Sequence, residues 1–125
     1  MNYLNPHTHH LDADDANQAF LGRVQRPRIV VLCGSTRFKE DFERVNRALT
    51  LGGHIVLAPG VFGHADGIEL SDASKEALDA LHFRKIDLAD EVIVVNPGGY
   101  IGDSTRREIA YAERTGKPVR FLETA

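Results

Sequence analysis

Residues 33–37 read Cys-Gly-Ser-Thr-Arg and directly follow a run of apolar residues. Gly34 lets a ligand approach the backbone, Ser35 and Thr36 supply hydroxyls, and Arg37 supplies a permanent positive charge. Either hydroxyl residue can also cap a helix, and a helix N-terminus attracts anions. The segment matches neither the GxGxxG pattern of dinucleotide-binding folds nor the GxxxxGK[ST] pattern of P-loops. It therefore predicts a binding loop of another kind, for a nucleotide or a sugar phosphate.

A second glycine-rich segment, residues 96–104, follows another apolar run. Its glycines allow the backbone to wrap around a ligand, and Tyr100 either stacks on a base or sugar or packs as an ordinary apolar residue. Ser104 and Thr105 begin the next predicted helix and offer a further site for an anion or a sugar hydroxyl. The residues at which we expect substrate contacts in the two segments are Gly34, Ser35, Thr36, Arg37, Asn96, Gly98, Gly99, Tyr100, Gly102, Ser104 and Thr105.

Glu108 lies one turn into that helix, and its spacing supports two interpretations. It fits a capping box with Thr105, in which the carboxylate returns to the backbone at the start of the helix. It is also a candidate catalytic carboxylate, because it follows a glycine-rich segment. His82, Lys85 and Asp87 lie late in an earlier helical segment and are either catalytic candidates or part of an ordinary solvent-facing surface.

The elements that must position these residues alternate regularly from residue 28 onward. Four apolar runs, of the kind that parallel sheets bury on both faces, predict strands at residues 29–33, 54–58, 92–95 and 119–122. Helices are predicted at about 36–51, 72–88 and 104–114, with a loop at 60–71. This order predicts a single-domain, Rossmann/flavodoxin-like, three-layer α/β fold with a parallel sheet of four or five strands. Ligands bind beyond the carboxyl ends of such strands, where the two glycine-rich segments would meet.

Residues 1–27 differ from the regular part, residues 28–125. They are polar and carry His7, His9 and His10 close to several aspartates. We expect an N-terminal arm, with a short helix at about residues 12–21, that docks on the domain or on a second subunit. The histidines lack further ligands at a matching spacing, so no metal and no cofactor is predicted.

The composition excludes several classes of protein. The net charge is −3 and the basic residues are scattered, which disfavours binding to duplex nucleic acid. No apolar run approaches the length of a membrane span, and the N-terminus lacks the pattern of a signal peptide. Cys33 is the single cysteine, so an internal disulfide is excluded. We expect a cytoplasmic protein that acts on a small molecule and forms a homodimer or a higher homo-oligomer.

Residues 28–122 together resemble the nucleoside 2-deoxyribosyltransferase-like superfamily, which includes the 2'-deoxynucleoside 5'-phosphate N-hydrolases. The resemblance rests on residues 33–37, on residues 89–95 (ADEVIVV), on the second glycine-rich segment, and on Glu108 before residues 117–119 (KPV). It implies that Glu108 is a nucleophile on the anomeric carbon of the sugar and that the two loops hold sugar and phosphate.

The chain departs from this family at two positions. The family places an acid on the helix before the third strand, where an ungapped count puts His82, with Asp87 as the nearest acid. The family usually has a glycine two residues after the glutamate, where this chain has Ala110. The first departure leaves open whether His82 or Asp87 orients or protonates the base.

A second resemblance involves residues 81–85 (LHFRK), residues 97–100 (PGGY) and Thr105-x-x-Glu108, which are similar to motifs of the cytokinin-activating phosphoribohydrolases. Both resemblances imply cleavage of a base from a sugar. The leading hypothesis is therefore an enzyme that cleaves an N-glycosidic bond of a nucleoside or its 5'-monophosphate, by hydrolysis or transfer. A non-catalytic nucleotide-binding or sensing module and an assembly protein with vestigial loops are the alternatives.

Overall fold

The computed structural model describes residues 26–123. A sheet of four parallel strands lies at its centre, in the spatial order β2-β1-β3-β4. The strands are β1 (Ile29–Cys33), β2 (Ile55–Leu57), β3 (Glu91–Val94) and β4 (Val119–Phe121). The first and last residues of each strand differ by at most one position from those predicted from its apolar run. The expected arm, with its short helix and its histidines, falls outside the described residues.

Helices cover both faces of this sheet, which confirms the three-layer α/β fold. They are α1 (Lys39–Leu51), a four-residue helix α2 (Gly63–Asp66), α3 (Asp72–Leu88) and α4 (Asp103–Arg114). Helix α1 packs Phe42 and Val45 against one face of β1 and β3. Helices α3 and α4 pack Ile86 and Ala112 against the opposite face. Because both faces are covered, β1 and β3 are apolar at nearly every position.

The chain leaves the two central strands toward opposite faces of the sheet. After β1 it enters α1 on one face, and after β3 it enters α4 on the other. Where neighbouring strands lead to opposite faces, an open parallel sheet has a topological switch point, and a crevice forms there beyond the carboxyl ends of the strands. The backbone N–H of Val95 donates to the carbonyl of Cys33 at 2.7 Å and holds the two strand ends together beside the crevice.

Gly34 follows β1 directly and passes close to the end of β3. A Cβ atom at this position would lie 2.5 Å from the Val95 carbonyl oxygen, a distance that real Cβ atoms do not show. Close approach to the neighbouring strand is therefore sufficient to require a glycine at this position. Any larger residue would push the loop away from β3.

Helix α1 begins three residues later than predicted. Residues 35–38 form a turn in which the backbone N–H of Phe38 donates to the Ser35 carbonyl at 3.1 Å, and Phe38 occupies the N-cap position. The expectation that Ser35 or Thr36 caps this helix is therefore wrong. The chain first crosses the end of the sheet at Gly34 and becomes helical only after it has turned back.

The other boundaries agree more closely with the predictions. Helix α3 has the predicted bounds, and α4 begins one residue earlier than predicted, at Asp103. The predicted loop at 60–71 contains the short helix α2, which a salt bridge of 2.9 Å between Lys39 and Asp66 ties to the start of α1. Between residues 26 and 123, no helix combines the length and the apolar character that a membrane span needs.

Candidate functional site

A pocket of about 460 Å³ lies at the carboxyl ends of the strands. Its walls are the loop after β1, the segment between β2 and α3, one side of α3, and the start of α4. Most residues expected at the site line this one pocket, although they come from separate parts of the chain. Those residues are Gly34, Ser35, Thr36, Arg37, His82, Tyr100, Gly102, Ser104, Thr105 and Glu108.

Three of the residues at which substrate contacts are expected lie outside the pocket lining: Asn96, Gly98 and Gly99. Asn96 is fully buried, and its side-chain amide exchanges two hydrogen bonds of 2.9 Å with the backbone of Glu123. The backbone N–H of Gly98 donates to the carboxylate of Glu123 at 3.1 Å. This first half of the segment thus secures the chain after β4, and only the second half, from Tyr100 onward, reaches the pocket.

Asp87 also lies outside the pocket lining. Its carboxylate accepts a hydrogen bond from the Tyr111 hydroxyl and pairs with Arg84 at 3.2 Å. These contacts connect α3 to α4 near the end of α3. Asp87 therefore has a structural role in the described residues and is not in a position to touch a ligand in the pocket.

Glu108 does not form the capping box that its spacing allows. Helix α4 begins at Asp103 with Gly102 as its N-cap, and no side chain caps it. Thr105 therefore lies inside the first helical turn, where it is buried, and not at the cap position. Glu108 is buried and lines the pocket, so the capping interpretation is wrong.

Glu108 lies beside Cys33 and His82, and these three side chains form the cluster at the base of the pocket. Sγ of Cys33 lies 3.4 Å from Nε2 of His82, and a carboxylate oxygen of Glu108 lies close to both atoms. One ligand atom from each residue lies within 4.8 Å of the other two. The cluster forms because the end of β1, the middle of α3 and the second turn of α4 meet on the same face of the sheet.

Burial changes the ionisation of the whole cluster. Burial raises the pKa of Glu108 to about 7. The negative charge of Asp79 raises this pKa further, whereas the neighbouring Cys33 thiol and the positive charge of Arg107 lower it. Burial, followed by the nearby charge of Lys85, lowers the pKa of His82 to about 4. Burial also raises the pKa of the Cys33 thiol. At neutral pH the imidazole is therefore uncharged, the thiol keeps its proton, and Glu108 titrates.

Arg37 is held at another side of the pocket in a geometry that leaves its charge available. Its guanidinium lies over the Tyr100 ring, 4.6 Å from the ring centroid, and its Nε donates to the Ser35 hydroxyl at 3.1 Å. It pairs with no carboxylate among residues 26–123. A ring and a hydroxyl that fix an unpaired guanidinium make a suitable site for an anion.

Two residues of the site were missed from the sequence. Asp79 lines the pocket from α3, one turn before His82, and its charge acts on Glu108. The i, i+3 spacing from His82 was the available signal, since both residues then share a helix face. Cys33 belongs to the predicted binding loop but is not among the expected site residues, because no local pattern shows that its side chain lies beside the glutamate of a helix 75 positions away in the chain.

Comparison with known proteins does not assign the chain to a family. No protein-family model matches it, and a search of curated proteins finds no match. Function is therefore inferred from the chemistry of the site.

Proposed function

We propose that the protein cleaves the N-glycosidic bond of a nucleoside or nucleoside 5'-monophosphate, by hydrolysis or by transfer of the sugar, with Glu108 as the nucleophile. The observation that carries the proposal is a buried carboxylate with a pKa of about 7 that lines a pocket and forms no ion pair among the described residues. Structural carboxylates at this depth are normally paired, so an unpaired one in a cavity is a candidate for chemistry. The resemblance to the nucleoside 2-deoxyribosyltransferase-like superfamily supports the same role.

Cleavage of an N-glycosidic bond is promoted by a group that stabilises the positive charge on the sugar or bonds to the anomeric carbon. As the bond from the anomeric carbon to the base nitrogen breaks, its electron pair leaves with the base and the sugar gains oxocarbenium character. The ionised Glu108 carboxylate attacks the anomeric carbon and forms a glycosyl ester, while the base takes up a proton. Water, or a second base in a transfer reaction, then attacks the same carbon and releases Glu108.

The remaining pocket residues divide into two groups that suit the two ends of a nucleotide. Arg37 and Ser35, together with the free backbone N–H groups at the start of α4, suit a phosphate or sugar hydroxyls. Asp79 and His82 line the pocket from α3. Asp79, which pairs with Arg107 at 3.9 Å, is the carboxylate that we assign to orienting the base, in place of Asp87, and the buried His82 adds no charge beside it.

The direct test is incubation of the purified chain with a panel of nucleosides and their 5'-monophosphates, in the ribo and 2'-deoxy series, with chromatographic detection of released base. We expect release from at least one substrate and its loss in Glu108→Ala. Glu113→Gln is the matched control, because Glu113 lies on the same helix but is exposed and away from the pocket. If wild type and Glu108→Ala release base equally from every substrate, the proposal is wrong.

One observation favours a second candidate, a nucleotide-binding module without catalysis. His82, a side chain that is uncharged at neutral pH, stands where the resemblance implies an acid. Such a module would be stabilised against heat by a nucleotide of the panel, with no release of base. Stabilisation by a nucleotide together with turnover that Glu108→Gln removes would exclude it.

A further inference from the structure

The cluster of Cys33, His82 and Glu108 offers three different ligand atoms around one point, and we propose that it binds a Zn²⁺ ion. This inference goes beyond the proposed function and does not depend on it, since the donors alone define the site. The thiolate, the imidazole and the carboxylate are the three kinds of group that bind zinc in proteins. No other group of three such side chains in residues 26–123 is as close together.

The distances in the cluster suit a small ion without large movement. A tetrahedral zinc ion with typical bond lengths holds a sulfur and a nitrogen ligand about 3.6 Å apart. Sγ of Cys33 and Nε2 of His82 are 3.4 Å apart, and an oxygen of Glu108 lies within 4.8 Å of both. A small rotation of the Glu108 side chain therefore completes three of the four positions.

The surroundings of the cluster resemble those of a metal site in the way that its three residues are placed relative to the pocket. His82 and Glu108 both line the pocket, whereas Cys33 is fully buried behind them. The fourth position would therefore face the pocket, as in zinc sites that keep one position for water or a ligand.

Binding of zinc and attack by Glu108 on a sugar exclude each other, because both use the same carboxylate oxygens. A zinc-loaded protein would not cleave an N-glycosidic bond through a glycosyl ester of Glu108. Zinc binding is therefore a property to be measured directly, by a readout separate from turnover.

The experiment uses the full chain, reduced, stripped of metal with a chelator and titrated with CoCl₂. Cobalt(II) takes up zinc sites, and its bond to a thiolate gives a charge-transfer absorption in the near ultraviolet. Because Cys33 is the single cysteine, this band reports the proposed site even without a variant. We expect one Co²⁺ per chain with this band, its displacement by ZnCl₂, its loss in Cys33→Ser, and affinity reduced roughly 10-fold or more in His82→Gln and Glu108→Gln.

Two control variants separate the cluster from other histidines. His64→Ala removes a histidine that lines the pocket but lies outside the cluster, and it should keep the band. The variant with His7, His9 and His10 all changed to alanine removes the histidine-rich segment before residue 26 and should also keep it. Absence of a thiolate band in folded wild-type protein overturns the proposal. Cobalt binding that lacks the band and disappears with His7, His9 and His10 likewise overturns it.

Discussion

Two buried glutamates lie at opposite ends of the strands, Glu91 at their amino ends and Glu108 beside their carboxyl ends, and their electrostatic surroundings are opposite. Glu91, the first residue of β3, is 6% exposed, and its carboxylate accepts hydrogen bonds from Arg28 at 3.4 Å and Arg120 at 3.0 Å. Glu108, on helix α4, is 9% exposed, and its neighbours are the Cys33 thiol and the uncharged His82 imidazole. Near-equal burial therefore accompanies very different electrostatics.

The two carboxylates differ in whether positive groups replace the water that each loses on burial. Two guanidinium groups compensate Glu91 for its loss of water, and they join the first, third and fourth strands at the edge away from the pocket. Glu108 has lost water without such compensation, and burial raises its pKa to about 7. An arrangement that costs stability and faces a cavity is what a catalytic or ligand-binding site requires.

The sharpest test of the comparison is turnover of whichever substrate the panel identifies. Glu108→Gln should reduce kcat by at least about 10³-fold, because it removes the nucleophile while keeping the shape of the side chain. Glu91→Gln should keep kcat close to wild type in the folded fraction of the protein. Equal losses in the two variants would mean that Glu108 acts only through the fold.

The pH dependence of kcat/KM should follow the ionisation of Glu108. With a pKa of about 7, only the ionised fraction can attack the sugar, so kcat/KM should fall about 100-fold between pH 8 and pH 5. Initial rates at low substrate concentration across this range measure it. A profile that is flat from pH 6 to pH 8 would contradict the assigned role.

Glu91→Gln should lower the free energy of unfolding by about 2 kcal/mol, because an amide cannot accept from both arginines as a carboxylate does. Both arginine side chains are more than half exposed, which limits the effect. Urea denaturation at pH 8 measures it, with Glu113→Gln as an exposed control. An unchanged midpoint would show that the arginine pair adds nothing to stability.

Glu108→Gln should have the opposite sign and raise the free energy of unfolding at pH 8, by at most about 3 kcal/mol. Glu108 ionises near 4.5 in the unfolded chain and near 7 in the folded protein, so the folded state binds more protons between these values. The contribution of Glu108 to the free energy of unfolding is therefore fully present below about pH 4.5, and it is lost as the pH rises through 7.

The same denaturation series at pH 5 provides the check on this sign. At pH 5 the folded carboxyl is protonated and resembles the amide, so the gain from Glu108→Gln should fall to about a quarter of its value at pH 8. A gain that stays constant from pH 5 to pH 8 would show that removal of the buried charge is not its cause.

The periodicity of the sequence determined the architecture. Continuous apolar runs such as residues 29–33 identify strands that are covered on both faces, and the helical spacing of residues 72–88 predicted α3 with its observed bounds. Local signals were weaker at the edges of elements. Ser35 satisfies the residue preference for an N-cap, yet the close passage of Gly34 beside β3 delays the helix to Lys39.

The sequence motifs also predicted most of the residues that line the pocket. This was possible because parallel strands bring their carboxyl ends to one edge of the sheet whatever the loop sequences are. Arg37, His82 and Glu108 were expected there and line the pocket. Asn96 has the residue type and the position of a ligand-binding residue, but its side chain is used by the backbone of Glu123, a contact that no local pattern predicts.

The burial of Glu108, its lack of an ion-pair partner among the described residues and its raised pKa depend on tertiary packing. Its capping-box spacing with Thr105 is a property of the sequence, but the start of α4 at Asp103 and the approach of Cys33 and His82 are properties of packing. Desolvation depends on everything that surrounds a group in space, and the neighbours that surround this carboxylate come from three separate elements. The sequence alone therefore determined where a site would lie, and packing decided which of its carboxylates is left unpaired.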